Sequence, residues 1–111
     1  MLAQSILATI LLAASANAEI VIGVQDRNDG SKRNLAWLKG TDACAGELLS
    51  VQPANPCGHV FSTGGVSGLT LEGCGGPLWV NQNGNFYANC HADDSYSKVC
   101  NSGKVRKTYE C

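Results

Sequence analysis

Leu78-Trp79-Val80-Asn81-Gln82-Asn83-Gly84-Asn85-Phe86-Tyr87-Ala88-Asn89-Cys90 is the stretch whose reading decides the fold. Asn83-Gly84 separates two runs of strand-forming residues. A type I′ turn needs φ > 0 at both central positions, and Asn-Gly meets that need best. The run therefore reads as a β-hairpin. A plain two-residue register pairs Val80 with Tyr87 and Trp79 with Ala88. Trp79 and Phe86 then lie diagonally on one face.

Outward toward the C-terminus, the same logic gives a second hairpin. Ser95–Cys100 and Lys104–Glu110 flank Asn101-Ser102-Gly103, a three-residue loop with Gly last. Val99 is expected opposite Val105. Val105, Lys107, Tyr109 and Cys111 share a face by alternation, which puts Lys107 at an edge or snorkelling. Lys104, Arg106 and Lys107 then read as a basic edge that discourages strand addition.

Outward toward the N-terminus, Val66–Glu72 alternates with Leu69 and Leu71 inward, and Gly73, Gly75 and Gly76 around Cys74 mark a turn. Glu19–Val24 alternates with Ile20, Ile22 and Val24 on one face. A polar stretch from Gln25 to Asn34, with the turn signal Asn28-Asp29-Gly30, leads to a short strand at Leu35–Leu38. Thr41–Ser50 is the one helix candidate, capped by Thr41 and weakened by Gly46. The fold class is therefore mostly β: a small disulfide-stabilised β-sandwich or barrel with at most one short helix, with a small α+β fold as the alternative.

Residues 1–18 read as a secretory signal peptide. Ile6–Ala14 is an unbroken apolar run, and Ala16-Asn17-Ala18 has the small residues of a cleavage site. The run falls short of the roughly 20 residues of a membrane span. Residues 19–111 are one secreted, extracellular domain, and no Asn-x-Ser/Thr sequon occurs in them. The formal net charge of −1 removes the case for nucleic acid, which needs a basic footprint.

All six cysteines follow the leader: Cys44, Cys57, Cys74, Cys90, Cys100 and Cys111. An even count in a short secreted chain reads as three disulfides, with fifteen pairings open. No close Cys-x-x-Cys pair supports zinc or redox chemistry.

Catalytic inventory is thin. His59, His91, Glu47, Glu72 and Arg106 are the residue types of a small ribonuclease site, yet no motif joins them. No Gly-x-Ser-x-Gly elbow is present. The expectation is a non-enzyme with no catalytic residue, no cofactor and no metal. Asp93 and Asp94 are the calcium candidates, since Asp93-Asp94-Ser95-Tyr96-Ser97 resembles the βγ-crystallin calcium signature, with Lys98 in place of its final Ser. A polar loop before a strand is the plainer reading. Trp37 and Trp79, set between aliphatics, are expected in the core, and Tyr87 and Tyr96 at the surface.

The leader, the six-cysteine domain and the terminal cysteine together resemble fungal small secreted cysteine-rich proteins. That resemblance implies an effector-like binding protein acting outside cells on a host or competitor protein, and a monomer is expected. Inhibition of a secreted protease is one form, because a rigid loop binds with little ordering cost. Pro53, Asn55 and Pro56 of the Gln52–Pro56 loop are the binding candidates with Tyr87 and Tyr96, and Ser62–Gly65 is a second loop. A killer toxin or antimicrobial protein, and a small secreted hydrolase such as a ribonuclease, are the alternatives.

Overall fold

The computed structural model describes residues 19–111, so the leader read at 1–18 lies outside the described residues. Among the described residues, ten strands form two antiparallel sheets. The larger sheet contains β1 (Ile20–Arg27), β2 (Lys32–Leu38), β3 (Glu47–Val51), β8 (His91–Ala92), β9 (Ser97–Cys100) and β10 (Gly103–Glu110). Its order is β3-β2-β1-β10, with β8 and β9 both pairing the far side of β10. The smaller sheet runs β4 (Phe61–Thr63), β5 (Val66–Glu72), β6 (Trp79–Gln82), β7 (Asn85–Asn89).

The two sheets bury their facing alternate residues against each other. Ile20, Ile22, Ala36 and Leu49 of the larger sheet meet Phe61, Leu69, Leu71 and Val80 of the smaller. Leu69 and Leu71 point inward as the alternation requires. The other face of the larger sheet is buried too. There Val21, Leu35, Trp37 and Val105 pack with Ala43 into a second cluster. β1 is thus covered on both sides, and Ile20, Val21 and Ile22 are consecutive buried residues. Val24 is only half-buried.

The mostly β, disulfide-stabilised fold is what the sequence leads one to expect. Several local expectations are corrected. The helix over Thr41–Ser50 is a single 3-10 turn, Ala43–Ala45, capped by Asp42, whose side chain accepts from the Cys44 N–H at 2.9 Å. Gly46 then turns extended (φ −63°, ψ 152°), and Glu47–Val51 pairs with β2. A ladder with Leu49 in the core outweighs the weak helix preference. The polar stretch after Val24 is not a long loop either, for β1 and β2 pair down to Asp26 and Lys32.

The Asn83-Gly84 turn has φ of 51° and 81°, as type I′ demands. Its register differs by one residue beyond Asn81, because a β-bulge falls between Val80 and Asn81. Val80 faces Ala88 and Trp79 faces Asn89. The extra residue lets Tyr87 pack toward the core and leaves Phe86 exposed. In the last hairpin Gly103 belongs to β10 and pairs with Cys100, so the loop is Asn101-Ser102 alone. A Cβ on Gly103 would overlap the Asp26 carbonyl, so close approach of β1 explains the glycine. Val99 consequently faces Lys104, not Val105.

β10 is an interior strand with neighbours on both sides, so Lys104, Arg106 and Lys107 form no basic edge. The pairing with β1 shifts at Thr108, where Ile22 faces Tyr109 and Gly23 faces Lys107. Past that bulge the alternation inverts. Tyr109 and Cys111 pack with the inter-sheet core, while Val105 belongs to the second cluster. Lys107 lies buried.

All six cysteines are paired: Cys44–Cys100, Cys57–Cys74 and Cys90–Cys111. Cys44–Cys100 ties the 3-10 turn to β9. Cys57–Cys74 closes the approach to β4 onto the β5–β6 loop. Cys90–Cys111 fastens the exit of β7 to the chain end beyond β10, linking the two sheets.

Candidate functional site

The bulge at Thr108 organises a cavity of about 450 Å³ on the larger sheet, on the face away from the smaller one. The segment Asp93–Tyr96 spans the gap between β8 and β9 along the edge of β10. Its ends are fixed by backbone bonds: the Asp93 N–H donates to the Thr108 carbonyl and the Lys107 N–H to the Tyr96 carbonyl, each at 2.9 Å. The Tyr96 ring meets that of Trp37, with centroids 6.4 Å apart and planes tilted by 48°. Trp37 is the buried floor, and its ring lies over Gly23, where a Cβ would sit 2.7 Å from it. Gly40 and Thr41 form part of the wall.

One side of the cavity is a row of alternating charges. Lys107 Nζ donates to Asp93 Oδ2 at 2.8 Å and to Glu110 Oε1. Lys39 Nζ donates to Glu110 Oε2 and to Glu19 Oε2, each at 3.2 Å. Burial alone pulls the Lys107 ammonium down, but its hydrogen bonds to Asp93 and Glu110 outweigh this and raise it. The Lys107 hydrogen bond, followed by those from Ser95, lowers Asp93. Hydrogen bonding with Glu19 and then Lys107 brings Glu110 down to about 2. Lys39 is raised by Glu19 first and Glu110 second. Asp93, Glu110, Lys39 and Lys107 are therefore ionised at neutral pH, two groups of each sign.

Of the residues singled out in the sequence, Tyr96 lies in this cavity and is 43% exposed. Asp93 also lies there, but its carboxylate is engaged by Lys107 and by the Ser95 N–H at 3.0 Å. Asp94 is exposed beside it. Among the described residues no three His, Cys, Asp or Glu side chains group as a metal site. Tyr87 is half-buried against the inter-sheet core.

Pro53, Asn55 and Pro56 lie toward the opposite end of β2, in the loop leaving β3. Val51 to Asn55 are exposed, yet the loop is held at many points. Ser50 Oγ accepts from Asn34 Nδ2 at 2.9 Å and donates to the Ala54 carbonyl at 2.8 Å. Gln52 Nε2 donates to Asn34 Oδ1 at 3.0 Å. Asn55 Oδ1 accepts from the Cys57 N–H at 2.9 Å, and the Asn55 carbonyl accepts from His59 Nε2 at 3.1 Å. Cys57–Cys74 anchors its far end. The second loop, Ser62–Gly65, is only a two-residue Gly64-Gly65 turn between Thr63 and Val66.

The histidines are not brought together. His59 braces the Asn55 loop, and His91 is exposed on β8 opposite Glu110. Arg106 is bonded to Asp26 at 2.8 Å, and neither it nor Glu47 nor Glu72 lines the cavity. Lys107, Glu110 and Lys39 were missed in the sequence as site residues. The one signal was a lysine on a strand face otherwise apolar. Among the described residues no helix is long and apolar enough to cross a membrane. No protein-family model matches the chain, and no curated protein or solved structure shows significant similarity to it.

Proposed function

We propose that the protein is a secreted, effector-like binding module that acts as a monomer outside cells by occupying a host or competitor protein. The observation that carries this reading is the Val51–Pro56 loop, exposed along most of its length and cross-braced by Ser50, Asn34, Asn55, His59 and the Cys57–Cys74 bridge. A loop already held in one shape loses little conformational entropy on docking, which is the advantage a protease inhibitor exploits. Three disulfides suit an oxidising compartment and keep a small core folded there. The reading assigns no catalytic residue.

The test is affinity capture from host extracellular fluid by the oxidised protein, with identification by mass spectrometry. The reduced and alkylated protein and a Ser50→Ala/Asn55→Ala variant serve as comparisons. One partner retained by the oxidised protein, and lost with reduction and with the loop variant, supports the reading. A partner held equally by the loop variant refutes the loop as the contact. Capture of nothing from any relevant fluid refutes the reading.

A further inference from the structure

We propose that the cavity between Tyr96, Trp37 and the Asp93–Lys107–Glu110–Lys39 row is a binding site for a neutral, polyhydroxylated ligand, that is, a carbohydrate.

The argument begins with charge. Lys107, the buried cation of the site, already donates to two carboxylates. Glu110 in turn accepts from Lys107 and Lys39. An anionic ligand drawn to Lys107 would have to displace Asp93 or Glu110, and a cationic one would have to displace a lysine. Either exchange leaves a partly desolvated protein charge without its partner, which is costly. A neutral ligand requires no exchange.

Hydroxyl groups suit the row in particular. Each can donate to a carboxylate and accept from an ammonium, and the row sets these side by side, Lys107 between Asp93 and Glu110 and Lys39 beside Glu110. Charge-assisted hydrogen bonds are the strong class, and here they are pre-positioned, with the bulge fixing Lys107 and backbone bonds fixing Asp93. Ser95 and Thr41 add hydroxyls to the wall.

The opposite requirement of a sugar ring is an apolar patch for its C–H face. Tyr96 meets it: the residue is 43% exposed, and its ring packs against that of Trp37. The cavity volume of about 450 Å³ falls within the range of small-ligand sites, about 300–1,000 Å³. The cavity and the Val51–Pro56 loop lie toward opposite ends of β2, so this site stands whether or not the loop binds a protein.

The test is titration of the isotope-labelled, oxidised protein, followed by amide and indole NMR shifts. The probes are oligomers of N-acetylglucosamine, β-1,3-glucose, β-1,4-glucose, xylose and mannose. Oligogalacturonate and deacetylated chitosan oligomers serve as charged comparisons. The expected result is saturable shifts at Gly40, Thr41, Ser95, Tyr96 and the Trp37 indole N–H with at least one neutral probe, little changed by added salt. Tyr96→Ala and Asp93→Asn each weaken that binding by about tenfold, the size expected for one aromatic or polar contact. Lys104→Ala, on the other face, leaves it unchanged. Absence of these shifts with every neutral probe overturns the proposal, as does equal or tighter binding of a charged probe. Neutral binding that survives both Tyr96→Ala and Asp93→Asn overturns the site assignment.

Discussion

Lys107 and Glu110 stand three residues apart on one strand, yet their side chains meet on the same face of the sheet. Regular alternation places residues an odd number apart on opposite faces. The bulge at Thr108 adds one residue and reverses that parity. Thr108 Oγ1 donates to the Ile22 carbonyl at 3.1 Å and braces the irregularity. A single inserted position thus brings Lys107 and Glu110 onto the face that lines the cavity.

Removing Lys107 tests how far the row is interdependent. Lys107→Met leaves Asp93 and Glu110 as neighbouring carboxylates without the cation between them. The expected cost is about 3 kcal/mol, the low end for breaking a buried pair, because the Asp93 side chain is 27% exposed. Lys107→Met combined with Glu110→Leu recovers much of that loss, since burying apolar groups in place of a pair is often neutral. Urea unfolding of the three proteins measures both values. A single mutant as stable as the parent refutes the interdependence.

The same row sets an acid limb to stability. Glu110 falls from its ordinary 4.5 to about 2 in the folded protein. A lowered carboxyl contributes stability that is present above its unfolded value and lost as pH falls through the folded one. Melting temperature should therefore drop between pH 4.5 and about 2, and Asp93, lowered below 3.8, adds to the same limb. Lys107 is raised above 10.5, so its contribution is complete below that pH and is lost as pH rises through the folded value. Glu110→Gln should shallow the acid limb. Superimposable profiles of parent and variant between pH 5 and 2 would count against Glu110 as its source.

What was legible in the sequence was local chemistry. Asn83-Gly84 has one strongly favoured turn, and Leu69 and Leu71 alternate within an uninterrupted strand. What was not legible depended on distant partners. The bulges at Thr108 and beside Val80 respond to neighbouring strands, and each inverts or shifts the pattern beyond it. The helix at Thr41–Ser50 fails for the same reason, since Leu48 and Ser50 find partners in β2, which precedes them in the chain. The cavity draws Lys39 from the end of β2, Asp93 from the β8–β9 connection, and Lys107 and Glu110 from β10. No spacing rule joins residues that only the sheet assembles.

Gly23 is required by packing. A Cβ there would overlap the Arg106 carbonyl and lie 2.7 Å from the Trp37 ring, beside the register shift between β1 and β10. Backbone and a buried indole cannot both yield cheaply. Gly23→Ala should destabilise by about 1–3 kcal/mol, the range for overpacking a tight core. It should also change the near-ultraviolet circular dichroism of Trp37. Unchanged stability would mean that the indole can shift, and with it the cavity floor.

The three disulfides should differ in weight according to the chain each one closes. Constraining the unfolded chain gains more entropy for a longer loop. Cys44–Cys100 spans 56 residues, against 21 for Cys90–Cys111 and 17 for Cys57–Cys74. Replacing both cysteines of the longest loop with alanine should cost about 4 kcal/mol, and doing so for either shorter loop about 3 kcal/mol. Denaturant unfolding of the three double mutants reads the order directly. The bridges differ in a second way that this order does not capture. Cys90–Cys111 links the two sheets, so its removal should increase amide exchange across the chain end beyond β10 and the β7 exit more than its loop length predicts. Exchange raised no more there than in the Cys57–Cys74 mutant would show that core packing alone holds the sheets together.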